Sequence, residues 1–154
     1  MKLTKYSHAC IVLEEAGRSL VIDPGNFSED FEVPQSVTGV IVTHSHADHC
    51  DEVKLQAILD QHPDASIYAL QEIADAANVP IIAIKPGQKV TIGNFEIEFA
   101  GGSHAVIHTD MPRVGNVEVI VNHDLLYYPG DSFGQPPRHM KWIATPVAAP
   151  WLKV

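Results

Sequence analysis

At 154 residues, 45% of them hydrophobic, the chain can bury one sizeable core, and a single domain over 1–154 is the expectation. A net charge of −9, with ten Lys and Arg against nineteen Asp and Glu, argues against a nucleic-acid backbone as partner, since that binding depends on neutralising phosphates. The start "MKLTKYSHAC" lacks the apolar stretch of a signal peptide, and no run approaches the ~20 apolar residues of a membrane span, so a soluble, cytoplasmic protein without a membrane partner is expected.

Apolar alternation and turn punctuation make residues 3–7 and 10–14 strands; "EEAGR" turns the chain, and "SLVID" (19–23) is the next strand. "DPG" at 23–25 breaks it. The β-branched run 37–43 suits a buried central strand. Asp51 and Glu52 open a helix whose apolar face is Val53, Leu55, Ile58 and Leu59, and Pro63 ends it. A strand at 66–70 and a helix near 71–77 follow. "QKVTIGNFEIEFA" reads as a hairpin about Gly93-Asn94, with Phe95, Ile97 and Phe99 on one face. "NVEVIV" and "LLYYPGDS" form another hairpin, and "KWIATPV" is one more strand. Strands with helices between some of them place the chain in the α/β or α+β class, in stacked layers.

The chemistry gathers in "VIVTHSHADHCDE", residues 40–52. His44, His46, Asp48 and His49 follow the central strand within six positions, and neutral imidazole and carboxylate are the usual ligands of a divalent metal such as Zn²⁺. One short loop can then offer two ligands to one metal and two to a neighbour. "AGGSHAVIH" sets His104 after a strand that ends in two glycines, and "YYPGDS" sets Asp131 behind a Pro-Gly break. Both repeat the order strand, break, ligand. Cys10 and Cys50 make no disulfide framework, and Cys50 is adjacent to His49. His8 and His108 read either as structural side chains or as donors and proton carriers near the site.

T-H-x-H-x-D-H, a later histidine after Gly-Gly, and "PGDS" resemble the metallo-β-lactamase fold superfamily of hydrolases. The resemblance runs over nearly the whole chain, from "LVIDPG" to "TPVAAPW", and within the superfamily the short chain is similar to the branch related to L-ascorbate-6-phosphate lactonase. It implies an αββα four-layer sandwich with the metals at one edge between the sheets. It also implies that His44, His46 and His104 bind a first metal, that Asp48 and His49 bind a second, and that Asp131 bridges the two. Asp23 would steady the ligand loop, as ligating histidines usually need a carboxylate or carbonyl on the other ring nitrogen. The pattern further calls for a last histidine on the second metal. Only His139 follows Asp131, and its position does not match, so a C-terminally incomplete form of the fold is expected, with an open edge that a second copy in a homo-oligomer could cover.

These residues read as a metal-dependent hydrolase acting through a metal-held hydroxide at a one- or two-metal site, with zinc first and manganese or iron as alternatives. Asp48 would orient the hydroxide and Asp131 fix the metal spacing. The substrate would be a small molecule, a lactone, ester or thioester, amide or phosphodiester, and Arg113, Arg138 and Lys141 could meet an anionic one. Two other readings compete. A redox di-iron protein of this fold would carry a glutamate where His46 stands. A non-catalytic metal-binding module would leave the second site incomplete.

Overall fold

The computed structural model describes residues 1–149 and 151–152. Its first sheet is built from β1 (Lys2–Lys5), β2 (Ile11–Glu15), β3 (Arg18–Ile22), β4 (Val37–Ile41), β5 (Ser66–Leu70) and β6 (Ile82–Ile84), hydrogen-bonded in chain order. β1–β2 and β2–β3 are antiparallel, and β3–β4, β4–β5 and β5–β6 are parallel. The second sheet has the order β11-β10-β9-β8-β7, from β7 (Lys89–Ile92), β8 (Phe95–Gly101), β9 (Val117–Val121), β10 (Leu126–Tyr128) and β11 (Trp142–Ile143). The mixed α/β class expected from sequence is the one observed. No described helix is long and apolar enough to cross a membrane.

Alternation decides the layers. Ile11, Leu13, Leu20, Ile22 and Ile41 point inward from the first sheet and meet Phe95, Ile97, Phe99, Val119 and Val121 of the second. The intervening Val12, Val21, Val40 and Val42 point outward and pack on Leu55 and Ile58 of α1 (Glu52–Gln61) and Ile73 of α2 (Gln71–Ala76). β4 is therefore covered on both faces, which is why it reads as a continuous β-branched run. Asp51 caps α1 by accepting a hydrogen bond from the Val53 backbone N–H at 3.0 Å. At the other end His62 donates its ring N–H to the Pro34 carbonyl at 2.8 Å.

Four details depart from the sequence reading. Val53, assigned to the apolar face of α1, is 77% exposed, because only Leu55 and Ile58 of that helix are buried. β6 was not foreseen, since its three residues are too short to show a period. The strand expected over "KWIATPV" narrows to the two residues of β11, as Pro146 and the exposed Val147 beyond it cannot extend a ladder. Among the described residues the fourth layer has no helix: the outer face of the second sheet carries only the small cluster of Ile120, Tyr127 and Met140. Pro150, Lys153 and Val154 of the expected tail lie outside the described residues.

Phe99 is fully buried in the layer between the sheets. Phe99→Ala should cost about 3–5 kcal/mol of unfolding free energy, and Val53→Ala should stay within about 0.5 kcal/mol. Urea midpoints of the metal-free proteins check both, and equal midpoints would contradict this assignment of the core.

Candidate metal centre

The candidate residues meet because their strands end at one edge. The chain leaves β3 into Asp23, β4 into Thr43 and His44, β8 toward His104, and β10 toward Asp131. β1 and β3 are both antiparallel to β2, so the turn that carries His8 lies at the same end of its sheet as Asp23. The two sheets are tied there by the Val117 N–H donating to the Thr43 carbonyl at 3.0 Å.

Asp23 is the hub. Its carboxylate is fully buried and takes hydrogen bonds from the Thr43 backbone N–H (2.8 Å), the Thr43 hydroxyl (2.6 Å), His49 Nδ1 (2.7 Å) and the Tyr128 hydroxyl (2.9 Å). A carboxylate offers about four acceptor positions, and these four donors engage both of its oxygens, so it holds the surrounding groups in place. Asp23 adopts φ 51°, a left-handed conformation uncommon outside glycine. Two residues on, the backbone of Gly25 passes so close to the cluster loop that a Cβ there would lie 1.8 Å from the Asp48 carbonyl oxygen. Asn26 donates its N–H to Ala47, and Lys54 donates to the Gly25 and Ser28 carbonyls, fixing one loop against the other.

The same network orients the histidines. Because the Thr43 hydroxyl gives its proton to Asp23, it must accept from His44 Nδ1 (3.1 Å). His104 donates Nδ1–H to the Ala105 carbonyl at 2.6 Å. His44, His49 and His104 thus each have Nδ1 engaged and Nε2 turned to the centre, and Nε2 of His44 and His104 is buried without any partner. Ring nitrogens of His44, His46 and His104 lie within 4.8 Å of one another, and donor atoms of His8, Asp48 and His49 form a second such group. Asp131 faces both: its Oδ2 is 3.5 Å from His104 Nε2 and 4.0 Å from His44 Nε2, and its Oδ1 is 3.4 Å from His49 Nε2.

Burial, together with the neighbouring His49 and His104, pushes His44 far below the ordinary imidazole range, so its ring stays neutral. Burial and His104 also lower His46. Burial alone would lower His49, but the charge and hydrogen bond of Asp23, with Asp131 and Asp48, raise it. Asp131 is pushed up by burial, yet the neighbouring imidazoles of His104 and His49 hold it below the usual carboxylate range. Neutral, unpartnered nitrogens around carboxylates suit a divalent cation.

The structure brings together His44, His46, Asp48, His49, His104 and Asp131. It leaves His108 exposed beside Asp110, and leaves His139 exposed away from the cavity at the centre. Arg113 donates to the His104 carbonyl (2.9 Å), and Arg138 to the His123 carbonyl (2.7 Å). Cys50 is in none of the donor groups, and burial pushes its thiol up to about 11. Sequence reasoning missed the residues that hold the Asp131 loop. Asn116 accepts from the Asp131 N–H and donates to the Pro129 carbonyl, while buried Glu118 accepts from the Tyr127 and Ser132 hydroxyls. Their partners are nine to fifteen residues away, beyond the reach of any local motif. A cavity of about 1260 Å³ opens over the centre, lined by His46, Asp48 and Asp131 and by the apolar Leu3, Trp142 and Trp151.

Residues 2–144 match the family model described as a beta-lactamase superfamily domain. Protein Rv0786c of Mycobacterium tuberculosis is 34% identical over 158 residues, covering all of this chain and 74% of its own length. A protein of a Chelativorans species named UPF0173 metal-dependent hydrolase is 31% identical, over 86% of this chain and 63% of its own. The metallo-beta-lactamase fold protein YhfI of Bacillus subtilis superimposes with a TM-score of 0.62 at 20% identity, over 85% of this chain and 57% of its own. This chain therefore spans under two thirds of the latter two.

Asp23→Asn keeps the size of the hub but replaces an acceptor oxygen with a donor amide. It should weaken metal binding roughly 10–100-fold and destabilise the fold by about 1–3 kcal/mol. Calorimetric metal titration and urea unfolding measure the two effects, and unchanged affinity in a folded variant would remove Asp23 from the centre.

Proposed function

The chain belongs to the beta-lactamase superfamily domain family, and from that premise we propose that it is a metal-dependent hydrolase acting on a small molecule. The observation that carries this reading is the pair of buried, unpartnered Nε2 atoms of His44 and His104, aimed with His46 at one point beside Asp131. An isolated buried nitrogen without a partner costs about 1–3 kcal/mol. Two aimed together are the mark of a ligand site, and the donor set of three imidazoles with nearby carboxylates fits zinc first, with manganese and iron as alternatives to test.

His44, His46 and His104 would hold a first metal, and Asp48 and His49 a second. Asp131, with one oxygen toward each group, would bridge them. A divalent metal held there supplies Lewis acidity, which brings the ionisation of water near neutral pH and polarises a carbonyl or phosphoryl oxygen. Asp23 and the Ala105 carbonyl keep the imidazoles in the tautomer that presents Nε2. Asp48, at the cavity wall, is placed to accept a proton from an attacking water and to orient it. The apolar walls beyond it exclude solvent from a bound ester, lactone, amide or phosphodiester. We read residues 1–154 as one domain, supported by the core shared between the sheets, and place it in the cytoplasm with its two thiols reduced.

The paired substitution His44→Ala and His46→Ala should abolish binding of the first metal, read by elemental analysis after dialysis. Full metal retention would refute the ligand assignment. Asp131→Ala should lower hydrolysis across a panel of lactones, esters and phosphodiesters by at least about 100-fold, while the urea midpoint moves far less. A fully metallated wild-type protein inactive on the whole panel would leave the metal-binding module as the reading.

A further inference from the structure

We infer that His8 is a ligand of the second metal, completing the set of Asp48, His49 and Asp131. This rests on the metal-dependent reading above and adds a residue to it. His139, which follows Asp131, is exposed and does not line the cavity. His8 lies on the opposite side of the sequence, 40 residues before Asp48, and lines the cavity with its Nε2 2.7 Å from Asp48 Oδ2. Its ring centroid is 5.5 Å from that of His49, edge to face, and donor atoms of His8, Asp48 and His49 lie within 4.8 Å of one another.

The backbone is built to deliver this ring. His8 adopts φ 57°, a conformation a histidine seldom takes unless its surroundings impose it. Several contacts impose it. Ser28 donates its hydroxyl to the Ser7 carbonyl (2.7 Å), and the Ser7 N–H donates to Asp30 (2.7 Å). Lys5 donates to the carbonyls of Tyr6 and His8, and Phe27 packs edge-on against the His8 ring at 5.3 Å. The turn is thus tied to the loop that follows Asp23, the hub that also sets His49. These contacts fix the His8 Nε2 at a carboxylate of the centre.

The rival role is a hydrogen bond that only orients Asp48, and the test separates the two. Apo protein of the full 154-residue chain is titrated with Zn²⁺, and separately with Co²⁺ for its visible spectrum, in wild type, His8→Ala, His8→Gln and His44→Ala. Wild type should take up two ions. His8→Ala should retain the first and lose the second, or bind it roughly 100-fold more weakly, with the matching change in the cobalt spectrum. His8→Gln keeps an amide that can donate to Asp48 but is a poor metal ligand, so it should behave like His8→Ala. Rescue by Gln, two ions bound normally by His8→Ala, or a single ion in wild type would each overturn the inference. No ion in wild type would instead overturn the functional reading beneath it. Should a variant unfold, the ring ¹⁵N shifts of His8 in wild type decide: Nε2 should shift with the second equivalent of zinc, and an unmoved Nε2 would exclude it as a ligand.

Discussion

One buried carboxylate organises this end of the molecule. Asp23 takes donors from β4's exit (the Thr43 amide and hydroxyl), from the cluster loop (His49 Nδ1) and from the second sheet (the Tyr128 hydroxyl), so three separate pieces of chain converge on two oxygen atoms. Each bond satisfies a donor that is itself buried, and losing the acceptor would strand all of them. The same bonds settle tautomers. Through Thr43 the carboxylate controls His44, and directly it controls His49. Orientation of the histidines and docking of the two sheets are therefore one property.

The backbone around the hub accepts unusual geometry to make this possible. Asp23 and His8 both carry positive φ, Asp23 directly after β3 and His8 in the turn between β1 and β2. Gly130, at φ 58°, serves the Asp131 loop in the same way: a Cβ there would lie 2.4 Å from Asn116 Oδ1 and 2.9 Å from the Thr43 hydroxyl oxygen. That loop is then held by Asn116 and Glu118, polar side chains at the start of β9 whose hydrogen-bonding partners all lie on or just beyond β10. For Asp23 and His8, local strain of order 1–3 kcal/mol per residue persists because surrounding hydrogen bonds hold it.

How much of this could be read from the chain follows from what is local. The alternation of Ile11 with Leu13 and of Phe95 with Ile97 and Phe99 predicts the inner faces, and the continuous run of β4 predicts a strand covered on both sides. The spacing of His44, His46, Asp48 and His49, and the breaks before His104 and Asp131, predict which side chains gather at a strand end. Tertiary facts were out of reach. Nothing in "SHAC" says that His8 meets Asp48 forty residues later, because that contact depends on β1 and β2 being folded against β3. Glu118 reads as one more polar residue in a strand until Tyr127 and Ser132 come to face it. Three-residue β6 has too few positions to show a period, and the misplaced Val53 shows that an apolar residue in a helix's first turn need not join its buried stripe.

Electrostatics link the centre to the stability of the fold. His44 is fully buried among other imidazoles, and both the loss of solvent and its neighbours oppose a proton on it. Protonation therefore does not relieve its unpartnered Nε2. His104 Nε2 is likewise buried without a partner. Asp131 stands between the donor groups as a carboxylate held below its usual range, so negative charge is concentrated where those lone pairs point. A cation would relieve both costs at once, satisfying the nitrogens and neutralising the carboxylate. The unfolded chain cannot assemble donors that lie as far apart as residues 44 and 131, so such binding would favour the folded state by an amount that grows with RT ln(1 + [L]/Kd). The cost built into the metal-free fold is thus relieved on binding and adds to the affinity for metal.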